Sequence, residues 1–237
     1  ILLSLGVYVA SQFQAAGKTF AVTLDMDFRA AVLIGGGIVF LYTLSGGFWA
    51  ASVSDLIQGL VMALAAIIVP LFALIEVGGF SEMYYGLGAV DPGLLDFSRG
   101  KSGIMLIAFI VGTLGIGLGY PGQPHVVNRF MAMRSDEDVK AGATISMWWG
   151  VIIYAGMLIA GWCGRVLVDS ISDPETVLLS LTTELFPPVA SGVIVAAVLS
   201  AIMSTADSQL LVCASTISHD MPKVKRNNIA LDRLAIF

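Results

Sequence analysis

One acid stands deep in an apolar run. Asp207 lies in Ala201-Ile-Met-Ser204-Thr205-Ala-Asp207-Ser208-Gln209, with Leu210, Leu211 and Val212 still to follow. Helical spacing puts Ala201, Ser204, Thr205 and Ser208 on one face, and Ser200, Ser204 and Asp207 on an overlapping stripe. Hydroxyl oxygens, with any carbonyl freed by bending, suit a small hard cation. The same residue types also serve plain helix–helix packing, with hydroxyls bonded back to their own helix. The neighbouring acid weighs toward a cation path. A charge in hydrocarbon costs about 2.5–3.5 kcal/mol on insertion scales, so it needs a cavity or a partner.

A second acid, Asp55, follows Gly46-Gly47-Phe-Trp-Ala-Ala-Ser-Val-Ser54 at the start of another apolar run. It reads either as a helix N-terminal acid favoured by the dipole or as a group on an ion route. A third cluster is backbone chemistry. Gly112, Gly115, Gly117, Gly119 and Gly122, with Pro121 and Pro124, lead to Gln123 and His125. Prolines remove donors and clash with the preceding turn, which predicts a break near 119–124. Broken spans point to transporter binding sites. The alternative is a helix ending at Tyr120, whose ring is then an interfacial anchor. Tyr8, with Ser11, Gln12 and Gln14, makes the first apolar run polar too; it reads as an interface anchor or as a bundle-facing ring needing a hydroxyl partner.

The elements that must carry these residues are membrane helices. Uncharged runs occupy 1–17, 30–54, 56–75, 102–124, 141–164 and 185–206. A helix needs about 20 apolar residues to cross the hydrocarbon core. The expected spans are 1–22, 30–48, 52–78, 102–124, 141–168 and 188–217, with a partial span from 228, in one transmembrane domain over 1–237. The first span is expected to be cut short at its start. Composition agrees: the 237 residues are 57% hydrophobic and 12% charged, with a mean hydropathy of +0.89. Soluble chains carry about a quarter charged residues. Disorder is excluded by that composition. Continuous runs exclude a β-barrel.

With 12 Lys+Arg against 17 Asp+Glu, a nucleic-acid partner is not expected. Cys163 and Cys213 are expected as free thiols near opposite membrane faces. Neither metal-ligand spacing nor a nucleophile with a base occurs, so an enzyme is not expected. Lys and Arg set the orientation. Arg129, Arg134, Lys140, Lys223, Lys225, Arg226 and Arg233 fall on one side; Lys18, Arg29, Arg99, Lys101 and Arg165 fall on the other. This places 125–140 and 219–228 in the cytoplasm. Residues 79–102 read as a long external loop, and Ser172-Asp173-Pro174-Glu175 as the start of a short external helix.

Three stretches together resemble the sodium:solute symporter family, and within it the bacterial sodium/proline symporters. They are Gly46-Gly-Phe-Trp-Ala-Ala-Ser-Val-Ser-Asp55-Leu-Ile-Gln58; Gly117-Leu-Gly-Tyr-Pro-Gly-Gln-Pro-His125 with Arg129-Phe-Met-Ala132; and Ala201-Ile-Met-Ser-Thr-Ala-Asp-Ser-Gln-Leu-Leu-Val212. The resemblance implies an all-α polytopic membrane protein with a LeuT-like inverted-repeat transporter core. The chain would supply core helices three to eight and the start of nine, and so lack the N- and C-terminal helices of the same protein. It implies a sodium site whose core-eight half is Ala201, Ser204 and Thr205, and an acid on the cytoplasmic ion route at Asp55. Tyr8, Tyr120 and Pro124 match substrate-linked positions, and Ile116 stands where the sodium/proline pattern carries Trp.

The expected function is sodium-coupled symport of a small organic solute, proline or a related amino acid, by alternating access. Asp207 and Ser208 are expected beside the ion path. Sodium is the coupling ion, and no other metal or cofactor is expected. The partners are lipid, solute and sodium, in the plasma membrane, as a multi-pass protein of a bacterial inner membrane. Two alternatives stand beside it: a non-transporting membrane sensor of the same fold, and a proton-coupled permease using Asp207. Lacking the core-one half of the ion site, this piece alone is not expected to transport.

Overall fold

The computed structural model describes residues 1–168 and 173–220; the partial span expected from 228, with Lys223, Lys225, Arg226 and Arg233, lies outside the described residues. Among the described residues eight α-helices run in chain order: α1 (Leu2–Leu24), α2 (Phe28–Val77), α3 (Phe80–Val90), α4 (Gly103–Gly119), α5 (Pro124–Met131), α6 (Asp136–Leu167), α7 (Val177–Leu185) and α8 (Pro188–Ser215). No strand occurs among the described residues. Four stretches are long and apolar enough to cross a membrane: Gly47–Val77, Gly103–Gly122, Asp136–Leu167 and Pro188–Ser218. Phe28–Thr43 is a shorter apolar helix. The first helix, which carries Gln12, Gln14 and Lys18, is not among the four.

The helices belong to two compact units, Ile1–Ala65 with Asp173–Phe237, and Ala66–Ser172. In the first unit α1 lies along α8 and against the first limb of α2. Small residues allow that closeness. A Cβ on Gly17 would meet Val32 Cγ2 at 2.2 Å, and one on Gly36 would meet Phe13 at 2.9 Å. The second helix does not run straight. Gly47 sits at φ 59°, ψ −161°, a region essentially reserved for glycine, and there the helix divides into two limbs. Asp55 therefore stands about two turns into the second limb.

Helices α7 and α8 meet at a proline corner. Ser191 Oγ shares its proton between the Phe186 carbonyl at 3.0 Å and the Thr182 carbonyl at 3.1 Å, the latter also accepting the Phe186 amide. At the start of that connection Asp173 Oδ1 accepts the Glu175 amide at 3.0 Å, capping a 3₁₀ turn before α7.

In the second unit the backbone of α6 comes so near residue 66 that a Cβ on Gly156 would stand 2.0 Å from the Ala66 carbonyl oxygen. One expectation is corrected here. Residues 79–102 are not a continuous loop, because Phe80–Val90 is helical and buries Met83 and Leu87. Gly78 and Gly79, at φ 97° and 101°, stop α2 and restart the chain as α3. Its apolar residues Phe80, Met83, Leu87 and Val90 recur at helical spacing. A turn follows at 91–103, where Asp91 caps Pro92–Leu95 and Arg99, Gly100 and Gly103 take positive φ.

Candidate functional site

The hydroxyl face of α8 forms on an unbroken helix, and each hydroxyl is bonded within it. Thr205 Oγ1 donates to the Ala201 carbonyl at 2.8 Å, Ser204 Oγ donates to the same carbonyl at 3.2 Å, and Ser208 Oγ donates to the Ser204 carbonyl at 2.7 Å. A hydroxyl that spends its proton on a carbonyl keeps its lone pairs for another partner. Ser204 and Thr205 are half-buried, so those lone pairs can still meet a cation. The Ala201 carbonyl is placed differently. It already takes two hydroxyl protons and must turn outward by local bending to become a ligand.

Asp207 is fully buried, with no exposed surface. Tyr42 Oη donates to its Oδ2 at 2.9 Å, and Ser208 Oγ lies 3.2 Å from its Oδ1. Tyr42 also shares a hydrogen bond with Ser54, across the Gly47 division of α2. Asp55 is half-buried and lies within electrostatic range of the Tyr42 hydroxyl. Gln209, the next buried polar residue on α8, has neither amide atom hydrogen-bonded among the described residues. Ser54 and Gln209 stand in the quoted motifs without a role of their own, and Tyr42 is not singled out by the sequence at all. Tyr42 stands twelve residues inside the uncharged run 30–54, where nothing local marks a partner, and its partner is 165 residues away.

Tyr8, on α1 of the same unit, is 39% exposed, and its carbonyl accepts Ser11 Oγ at 2.7 Å. In the same unit Lys18 Nζ donates to Asp173 Oδ2 at 2.8 Å and also to Glu175. Asp173 is held below the ordinary carboxylate value, first by the Lys18 hydrogen bond and then by the Glu175 amide.

Tyr120 and Pro124 belong to the second unit. Helix α4 ends at Gly119, Tyr120–Gly122 is a 3₁₀ turn, Gln123 is extended at φ −69°, ψ 134°, and Pro124 opens α5. Pro124 sits at the first turn of α5, where a missing N–H costs nothing. Tyr120 is 53% exposed. Ile116 lies on α4, and its side chain is outside the described residues. Gln123 Oε1 and His125 Nδ1 are buried without a hydrogen-bond partner among the described residues. Burial, and then Arg129, lowers the His125 pKa from its ordinary value.

No group of three or more His, Cys, Asp or Glu able to hold a metal occurs among the described residues. Cys163, buried, and Cys213 are both free thiols.

The sequence model of the sodium:solute symporter family matches residues 1–234. The chain belongs to that family. Among similar members, the osmoregulated proline transporter OpuE of Bacillus subtilis (strain 168) is 36% identical over 225 residues, covering 93% of this chain and 45% of the relative. The high-affinity proline transporter PutP of the same organism is 35% identical over 241 residues, covering 100% and 50%. A sodium/proline symporter of Staphylococcus aureus is 32% identical over 230 residues, covering 95% and 44%. This symporter-family chain thus spans about half the length of the curated relatives it matches. Family membership and the four apolar helices together make it part of a multi-pass helical membrane protein.

Proposed function

We propose that the whole protein is a sodium-coupled symporter, a transporter and not an enzyme, that carries proline or a related small amino acid across a bacterial plasma membrane by alternating access. The observation that carries this reading is the α8 face. Two half-buried hydroxyls, Ser204 and Thr205, stand one turn from a fully buried carboxylate, in a chain of the sodium:solute symporter family. Relatives named as proline transporters support the solute. On this reading Ala201, Ser204 and Thr205 bind sodium, while Asp55, Asp207 and Ser208 line its path. Tyr8, Ile116, Tyr120 and Pro124 contact the solute.

The helices take the places of core helices three to eight of a LeuT-like inverted repeat, with the loop carrying Arg129, Arg134 and Lys140 in the cytoplasm. The spans 1–22, 30–48, 52–78, 102–124, 141–168 and 188–217 are part of the same proposal. Coupling is a difference in binding free energy between two arrangements, and it is reciprocal between ion and solute.

A buried Asp207 under a tyrosine hydroxyl also suits a proton carrier, so one experiment separates the readings. Proteoliposomes containing the full-length protein are given an inward sodium gradient without a pH gradient, and labelled proline uptake is measured. Uptake that requires sodium is the expected result. Uptake driven only by an imposed pH gradient overturns sodium coupling. Proline binding with no uptake under either gradient makes the protein a sensor.

A further inference from the structure

Tyr42 and Ser54 are twelve residues apart on what is nominally one helix. In a straight α-helix that separation is about 18 Å along the axis, far beyond the joint reach of a tyrosine and a serine. Their hydrogen bond exists because Gly47, at φ 59° and ψ −161°, turns one limb of α2 toward the other. The phenol that bridges the two limbs then donates to Asp207 of α8 at 2.9 Å. Tyr42 has one proton. When that proton goes to Asp207, the Ser54 hydroxyl is the donor in the other contact and shares its proton with the Ala51 carbonyl 3.0 Å away, so that three side chains from three helical segments meet at one oxygen.

The grip passes on along α8. Ser208 Oγ donates its one proton to the Ser204 carbonyl at 2.7 Å and stands 3.2 Å from Asp207 Oδ1, so the carboxylate packs beside the turn that carries Ser204 and Thr205. Asp207 has no exposed surface, and a carboxylate so placed depends on its donors rather than on water.

We propose that Tyr42, Ser54 and Asp207 form a clasp that ties the α2 kink to α8, with Tyr42 and Ser54 as positioning residues for the ion-binding hydroxyls Ser204 and Thr205. The clasp rests on the symport reading. It closes only while α2 is bent at Gly47, so it favours the arrangement of α8 in which the kink is present. Neither Tyr42 nor Ser54 touches the ion on this account; each acts through Asp207.

The test uses the full-length protein in proteoliposomes, with the sodium concentration for half-maximal proline uptake as the readout and the proline KM at saturating sodium as its control. Tyr42→Phe removes only the oxygen. It should raise the sodium half-saturation about tenfold, the loss expected for one hydrogen bond to a charged group, and leave the proline KM within about twofold. Asp207→Asn should act in the same direction, and the Tyr42→Phe/Asp207→Asn double variant should be no worse than the poorer single variant. A structural role alone would lower the amount of active protein without moving sodium half-saturation. Should Tyr42→Phe fail to reach the membrane, Ser54→Ala with Asp207→Asn makes the same comparison. Wild-type sodium half-saturation in the hydroxyl variants, or additive effects in the double variant, overturns the clasp alone. Wild-type uptake indifferent to sodium overturns both the clasp and the symport reading.

Discussion

Helix α8 of the first unit and the α4–α5 junction of the second handle polar groups in opposite ways. In the first, α8 stays helical and presents side-chain oxygens, every hydroxyl of the face bonded to a carbonyl of its own helix. In the second, the polypeptide itself breaks, and α4 gives way to a 3₁₀ turn and an extended residue before α5 begins. The first arrangement keeps a set of lone pairs in fixed register. The second leaves Gln123 and His125 with unmet bonding capacity at the chain break itself, whereas in the first the unmet amide is Gln209, on the continuous helix α8. A cation without directional demands suits the first, and a solute with both donors and acceptors suits the second. Buried polar groups must be satisfied by something, and the two units differ in what is left to satisfy.

The sharpest way to break that comparison is to remove ligands from each side. Ser204→Ala and Thr205→Ala in the full-length protein should each raise the sodium half-saturation of uptake by on the order of 10- to 100-fold, since a hydroxyl contact to a charge is worth about 1.5–3 kcal/mol. Solute selectivity should change little. Tyr120→Ala should do the reverse, raising the proline KM while leaving sodium half-saturation near wild type. Uptake assays over a grid of sodium and proline concentrations read both values. If the α8 variants shift proline KM as much as sodium affinity, the division of labour between the regions is wrong.

The breaks themselves differ in cause, and this gives a smaller effect. Gly47 holds a conformation that other residues pay heavily to adopt, whereas Gly119 sits at φ −80°, ψ −19° with nothing within 4 Å of a Cβ added there. The break beside Gly119 comes from Pro121 and Pro124, not from a glycine. Gly47→Ala should therefore destabilise the protein by about 1–3 kcal/mol, and Gly119→Ala by no more than about 0.5 kcal/mol. Thermal unfolding in detergent compares them. Equal losses would show that both kinks depend on glycine.

This contrast also marks how much could be read from sequence. The proline break was legible because its cause is local: two rings within four residues dictate the geometry whatever surrounds them. The α8 face was legible because a 3.6-residue period is local too. A division near Gly47 was expected from the separate spans 30–48 and 52–78, but the direction of the bend was not legible, since a Gly-Gly pair marks a permissive place without saying what the backbone does there. Tyr42 was hidden for a different reason, because its role depends on a contact with α8 that only tertiary structure supplies. Helix α3 was hidden by length. Eleven residues flanked by Gly78-Gly79 and Asp91-Pro92-Gly93 look like a loop unless the spacing of Phe80, Met83, Leu87 and Val90 is counted.

The smallest expected effect lies in the connections outside the helical spans, where each unit holds one carboxylate below its ordinary pKa by a different means. Asp173 is lowered first by Lys18 and then by the Glu175 amide. Asp96 is lowered without any cation: Ser98 Oγ donates to it at 2.7 Å, and the Gly100 and Ser98 amides donate at 2.7 Å and 2.9 Å. Because both values are depressed, both carboxylates favour the folded state above about pH 4, the ordinary carboxylate value. That contribution disappears as pH falls through the lower folded value.

Salt should separate them. Asp96 is exposed and Asp173 half-buried, and at 1 M salt the screening length is about 3 Å, short enough to weaken the Lys18 attraction but not a hydrogen bond. The Asp173 pKa should rise with salt toward its ordinary value, stopping short because the Glu175 amide still donates at 3.0 Å. The Asp96 pKa should stay where it is. Carbon-detected NMR titration of the aspartate carboxyls at low and high salt measures both in one sample. Lys18→Gln should reproduce the salt effect at Asp173 and leave Asp96 untouched. A parallel rise of both groups would mean that a general field, and not the Lys18 contact, sets the Asp173 value, and the pairing of α1 with the 173–175 turn would lose its electrostatic basis.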